Sequence, residues 1–80
     1  MRYEVTTQLS PQEALAYAKD YFGPQGVGLE VTNEQDTCII LQGGGGHVAV
    51  TASPGEKKTT LELETREWDY PVRQFMAKVS

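Results

Sequence analysis

These 80 residues predict a single α+β domain with the order β-α-β-β-β-β-α, five antiparallel strands in one sheet and two helices packed on one of its faces. Three observations carry that reading. Runs of period-two alternation between apolar and polar residues mark half-buried strands. The stretch Ser10-Pro11-Gln12-Glu13 is a helix start. Finally, Val72, Phe75, Met76 and Val79 fall at i, i+3, i+4 and i+7, one face of a closing helix.

In chain order, residues 2–9 alternate, with Tyr3, Val5, Thr7 and Leu9 on one side and Arg2, Glu4, Thr6 and Gln8 on the other. Ser10 suits an N-cap, Pro11 the first helical position, and Glu13 completes a capping box. Leu15, Ala18 and Phe22 then recur at helical spacing, while Gly23 offers a left-handed C′ residue and Pro24 stops the helix, predicted at 11–22. Val27, Leu29 and Val31 form one face of a strand over 27–32, followed by a turn at Asn33-Glu34-Gln35-Asp36. Cys38 to Leu41 is a short apolar strand, and Gly43 to Gly46 a flexible connection. Residues 47–52 alternate with Val48 and Val50 inward, Ser53-Pro54-Gly55-Glu56 suits a tight turn, and Thr59, Leu61 and Leu63 mark the fifth strand. Asp69 is the expected cap of the last helix, over 69–79, with Pro71 tolerated in its first turn.

The short connections imply an antiparallel meander, with the first strand pairing with the fifth. Gln42 opposite His47 places Ile39, Leu41, Val48 and Val50 inward together. Ser53 opposite Glu56 would align Val50 with Thr59 and Val48 with Leu61. A two-residue turn at 33–36 would mix the faces by pairing Val31 with Cys38, so a bulge or odd-length loop is expected near Asp36–Cys38.

Composition narrows the function classes. A formal charge of −4, from seven basic and eleven acidic residues, is a poor footprint for nucleic acid or an anionic membrane. No apolar run approaches the ~20 residues of a membrane span. The start, Met1-Arg2-Tyr3-Glu4-Val5-Thr6, lacks an apolar leader core, and the lone Cys38 fits a reducing compartment, so the expected location is cytoplasmic.

The element order resembles the TATA-binding-protein-like fold and its larger helix-grip relatives, the Bet v 1 and START-type domains. The resemblance covers nearly the whole chain and rests on order alone, without a sequence motif. It implies either DNA binding on the open sheet face or a small apolar ligand held between the sheet and the C-terminal helix. Arg2, Glu4, Glu30, Lys58, Glu62 and Glu64 would make that open face net acidic, against DNA. The ligand reading would draw on Tyr3, Tyr17, Tyr21, Phe75 and Met76. A pocket of about 300 Å³, kept empty at roughly 24 cal/mol per Å³, would cost about 7 kcal/mol. That rivals the roughly 4–12 kcal/mol expected for a chain of this length.

No catalytic constellation emerges. Cys38 and His47 would lie about 13 Å apart along the sheet, too far for a nucleophile and its base. His47 opposite Glu62 is the best acid–base candidate, and a cross-strand polar pair the plainer reading. The four glycines precede a strand rather than a helix, unlike a phosphate loop. Trp68 and Tyr70 either close the end of the core or form a binding edge, with closure favoured for Trp68. One His, one Cys and dispersed carboxylates give no metal site, and no cofactor is implied. The leading expectation is a non-catalytic, homodimeric domain acting through protein contacts. Cys38, Ile40 and Ala49, with Thr51 and Thr60 around them, would form an apolar patch on the open face.

Overall fold

A computed structural model describes residues 1–80. Its elements are β1 (Arg2–Thr7), α1 (Pro11–Phe22), β2 (Glu30–Glu34), β3 (Cys38–Gly43), β4 (Gly46–Pro54), β5 (Thr59–Arg66) and α2 (Asp69–Val79). All strands join one antiparallel sheet in the order β1-β5-β4-β3-β2, so the chain closes by placing β1 beside β5. α1 lies over β3 and β4, and α2 over β5 and β1, both on the same face. No helix is long and apolar enough to cross a membrane.

Alternation decides which side chains these helices cover. Leu29, Ile39, Leu41, Val48, Val50, Ala52, Leu61 and Leu63 point inward and are all but completely buried. Ala14, Ala18 and Phe22 of α1 and Val72 and Phe75 of α2 close over them. Val48, Leu61 and Phe75 thus share one interior, each with no exposed surface. Phe75 sits at the centre of an aromatic group, its ring 5.1 Å from Phe22, 5.6 Å from Tyr17 and 5.7 Å from Tyr21.

The start of α1 follows its local signal. The Glu13 amide donates to the Ser10 hydroxyl at 3.1 Å, and the Ser10 amide donates to Glu13 Oε1 at 2.9 Å, a complete capping box. The Ser10 amide, first, and the Ser10 hydroxyl beside it hold the Glu13 carboxyl below its ordinary value. The end of α1 differs from expectation. Gly23 is extended (φ −74°, ψ −168°) rather than left-handed, and its amide still bonds to Lys19 O. The chain turns back through Gly26 and Gly28, and the left-handed glycine is Gly28, with φ +103°. β2 consequently begins at Glu30, with Val27 in the turn, and not at 27.

Three register details also depart from expectation. The parity break between β2 and β3 exists, but it is a bulge between Val31 and Asn33, not at Asp36–Cys38. There the Thr32 hydroxyl donates to Ile40 O at 3.3 Å, while the turn at 35–38 closes plainly through the Gln35 amide on Cys38 O. The bulge turns Glu34 to the helix side, opposite Ile39, where it meets Lys19 of α1 at 3.1 Å.

The β4–β5 hairpin turns at Gly55–Lys58 instead of 53–56, with Pro54 opposite Thr59 and Gly55 N–H donating to Lys58 O. β5 is therefore slipped by four residues from the expected pairing: Val50 faces Leu63 and Val48 faces Thr65. The slip is even, so no side chain changes face. It sets Leu61 and Leu63 against Ala52 and Val50 in the middle of the core, and lets the Thr65 hydroxyl bond to His47 O at 2.8 Å.

The glycine connection is a tight hairpin. Gly43 pairs with Gly46, and Gly44 and Gly45 have φ of +58° and +80°, the signs a two-residue primed turn requires.

Candidate functional site

The inner face of the sheet is filled by core, so the outer face is where side chains remain available. Its positions form a lattice fixed by the register. One row across the sheet reads Arg2, Glu64, Ala49, Ile40, Asn33 from β1 to β2. The next row towards the β4–β5 turn reads Glu4, Glu62, Thr51, Cys38, followed by Thr6, Thr60, Ser53. On the other side lie Arg66, His47, Gln42 and Glu30.

The expected patch is largely brought together. Ile40 and Ala49 are direct cross-strand partners, and Cys38 and Thr51 pair in the adjacent row. Ile40, Ala49 and Cys38 are half-buried, while Thr51 is exposed. Thr60 stands one row further on, beside Ser53, at the margin of the group. The Cys38 Sγ lies 3.9 Å from Gln35 Oε1.

Charge divides this face. Glu4, Glu62 and Glu64 gather on β1 and β5 with Arg2, around a shallow hollow of about 570 Å³ that reaches Ala49 and Thr51. Glu4 stands directly opposite Glu62, a like-charge pair that costs stability. Lys58, expected on this face, lies in the β4–β5 turn, and Arg66 occupies the face instead.

His47 finds a carboxylate, but a different one from that expected. The four-residue slip puts Arg66 directly opposite His47 and leaves Glu62 beside Thr51. The His47 ring donates from Nε2 to Glu64 Oε1 at 2.6 Å. That bond, first of all, holds the Glu64 carboxyl below its ordinary value, with the charges of His47 and Arg2 adding to it. Cys38 and His47 share the face but lie two rows apart, in no position to act together. His, Cys and the carboxylates nowhere gather in a set of three able to hold a metal ion.

The residues of the ligand reading lie in the helix layer and at its margins. Phe75 is fully buried against Phe22, filling the space between α2 and the sheet. Tyr3 and Met76 are half-buried at the edge of the core. Tyr17 and Tyr21 line a separate surface hollow of about 430 Å³ with Asp20, Gly26 and Val27. Tyr3 donates its hydroxyl to Asp69 Oδ2 at 2.7 Å, and this bond to a carboxylate raises the phenol's pKa. Asp69 therefore does not cap α2. The N-cap is Trp68, without a side-chain bond, and Glu67 before it has φ +76°.

Trp68 closes the end of the core as expected, but by a contact the sequence did not indicate. Its indole N–H donates to Gly43 O at 2.9 Å, and its ring lies over Gly44 so closely that a Cβ there would stand 2.7 Å from Trp68 Cζ2. Trp68 thus closes the end of the core by latching the β3–β4 turn, while Tyr70 is 67% exposed. The adjacent central glycines carried a signal for the primed turn; nothing local pointed to the indole. No protein-family model matches this sequence, and no curated protein matches it either.

Proposed function

We propose that this is a non-catalytic domain that acts through protein contacts, that it self-associates, and that the open face of the sheet is its contact surface. The observation that carries the reading is the Ile40–Ala49 pair at the centre of that face, flanked by Cys38 and Thr51, with no helix over it. The same sheet has its other face covered by two helices. A small domain gains from covering such a group, and closed two-fold pairs are the commonest assemblies. Four carboxylates against the guanidiniums of Arg2 and Arg66 make the rim acidic, which suits a partner carrying basic groups and suits neither DNA nor an anionic membrane.

The test has two parts. Light scattering at micromolar concentration should give about twice the 8.8 kDa chain mass; a monomer mass ends the self-association part. Ile40→Lys should leave the fold intact by circular dichroism while abolishing binding of protein partners recovered with the wild-type chain. Unchanged binding by Ile40→Lys ends the claim for the open face.

A second reading follows the helix-grip resemblance: a small apolar ligand held between the sheet and α2. It is supported by the element order and by the aromatic group of Tyr17, Tyr21, Phe22 and Phe75 beside Met76. A thermal-shift screen with lipids and aromatic metabolites tests it; no ligand raising the melting temperature removes it. A cytoplasmic setting accompanies both readings, in keeping with the single free thiol.

A further inference from the structure

The two edges of the sheet are built differently, and the difference locates the contact between copies. At β2 the bulge at Thr32 breaks the strand's regularity, a common protection of an exposed edge. β1 has no bulge, proline or lysine and pairs with β5 in unbroken register; its charged residues are one of each sign, Arg2 and Glu4.

The hydrogen bonding of β1 shows which backbone groups are free. Met1 and Thr65 exchange both bonds, N to O at 2.8 and 2.9 Å. Antiparallel ladders alternate, so Tyr3, Val5 and Thr7 also turn their N–H and C=O towards β5. Arg2, Glu4 and Thr6 turn theirs towards the empty edge. Tyr3 and Val5, beneath that edge on the helix side, are only half-buried.

Charge then selects a register for a second β1 laid antiparallel along the first. Centring on Glu4 would oppose Glu4 to the same residue of the second copy. Centring on Val5 would oppose Glu4 to Thr6 of the second copy and leave Arg2 unmatched. Centring on Tyr3 opposes Arg2 to Glu4 of the second copy and, by symmetry, Glu4 to its Arg2. Both of these pairs carry the free backbone groups, so hydrogen bonding and ion pairing choose the same register. Neither residue makes an ion pair within 4 Å in the chain: Arg2 faces Glu64 across the β1–β5 ladder and acts on it only through its charge, and Glu4 faces Glu62.

We propose that β1 is the self-association edge, pairing antiparallel with β1 of a second copy about Tyr3. The two sheets become one, and their open faces lie side by side as a single contact surface. This proposal rests on the self-association in the preceding section but places its seam at the β1 edge instead of over the Ile40–Ala49 group, which stays open for contacts with other proteins.

The experiment uses charge reversal on the full chain, read by sedimentation equilibrium. Arg2→Glu sets two carboxylates against each other twice across the edge, and Glu4→Arg does the same with two guanidiniums. Each variant alone should dimerise about tenfold more weakly than the wild type, or worse. Mixed in equal amounts, the two should form a heterodimer of near wild-type affinity. One strand then carries carboxylates at both positions and the other guanidiniums at both, so every cross-edge pair is again of opposite charge. Circular dichroism checks that each variant folds. Single variants that dimerise as tightly as the wild type overturn the proposal, and so does a mixture that stays monomeric. A wild-type chain that is itself monomeric fails the earlier reading instead, so the two failures are distinguishable.

Discussion

The two faces of this sheet are drawn from the same strands in the same alternation, yet they do opposite work. Adjacent residues of β3 show it most directly. Ile39 is 1% exposed beneath α1, whereas Ile40, one position on, is half-buried on the open side with Ala49 for a neighbour. Identical side chains with identical backbone preferences therefore contribute differently, because only one has a helix against it. Burial, not residue type, sets the energetic weight of a position. The face with little energetic weight is the one left available for contacts.

Substitutions can break or sharpen that contrast. The largest effect belongs to the centre of the covered face. Phe75→Ala removes the ring around which Tyr17, Tyr21 and Phe22 pack, and should cost about 3–5 kcal/mol. Urea unfolding should find the variant marginal, and a loss under about 1 kcal/mol would mean that the aromatic group is not the core. Next comes the neighbouring pair. Ile39→Ala should cost about 2–5 kcal/mol and Ile40→Ala about 1 kcal/mol or less. Equal losses in denaturant titrations would erase the distinction between the faces.

A smaller effect is expected where the covered layer meets the β3–β4 turn. Gly44→Ala places a methyl 2.7 Å from the Trp68 ring as well as at positive φ, while Gly45→Ala carries only the conformational strain, with nothing within 4 Å. Both should lose about 1–2 kcal/mol from the left-handed backbone, with Gly44→Ala the worse and with altered indole fluorescence only there. If the two behave alike, Trp68 does not latch the turn.

The smallest effect lies on the open face. Glu64 has its folded pKa lowered by His47, so its contribution is present above the unfolded value of about 4.5 and is lost as pH falls through the lower folded value. Glu64→Gln should therefore flatten the acid limb of stability against pH below about 4.5. A limb of unaltered steepness would show that the His47 bond does not persist in solution.

Much of this fold was legible because alternation and capping are local. Ser10, Pro11 and Glu13 specify the start of α1 through bonds that span three residues, and these form as written. The inner set of Ile39, Leu41, Val48, Val50, Leu61 and Leu63 follows from parity alone. The candidate patch was legible for the same reason: Ile40, Ala49 and Cys38 are the apolar residues of opposite parity on β3 and β4. His47's partner was not, because it depends on how far β5 slides along β4.

The sequence by itself thus determined the order of elements, the facing of the apolar residues of β1, β3, β4 and β5, and the local start of the first helix. Only tertiary structure decided the slip of β5, the bulge at Thr32, the capture of Gly43 by Trp68 and the use of Asp69 as a partner for Tyr3 instead of a cap. The physical reason is that period-two alternation fixes parity and is blind to any even shift. A register displaced by four residues buries the same side chains, so the choice falls to packing across the sheet. Here that packing sets Leu61 and Leu63 opposite Ala52 and Val50 at the middle of the core.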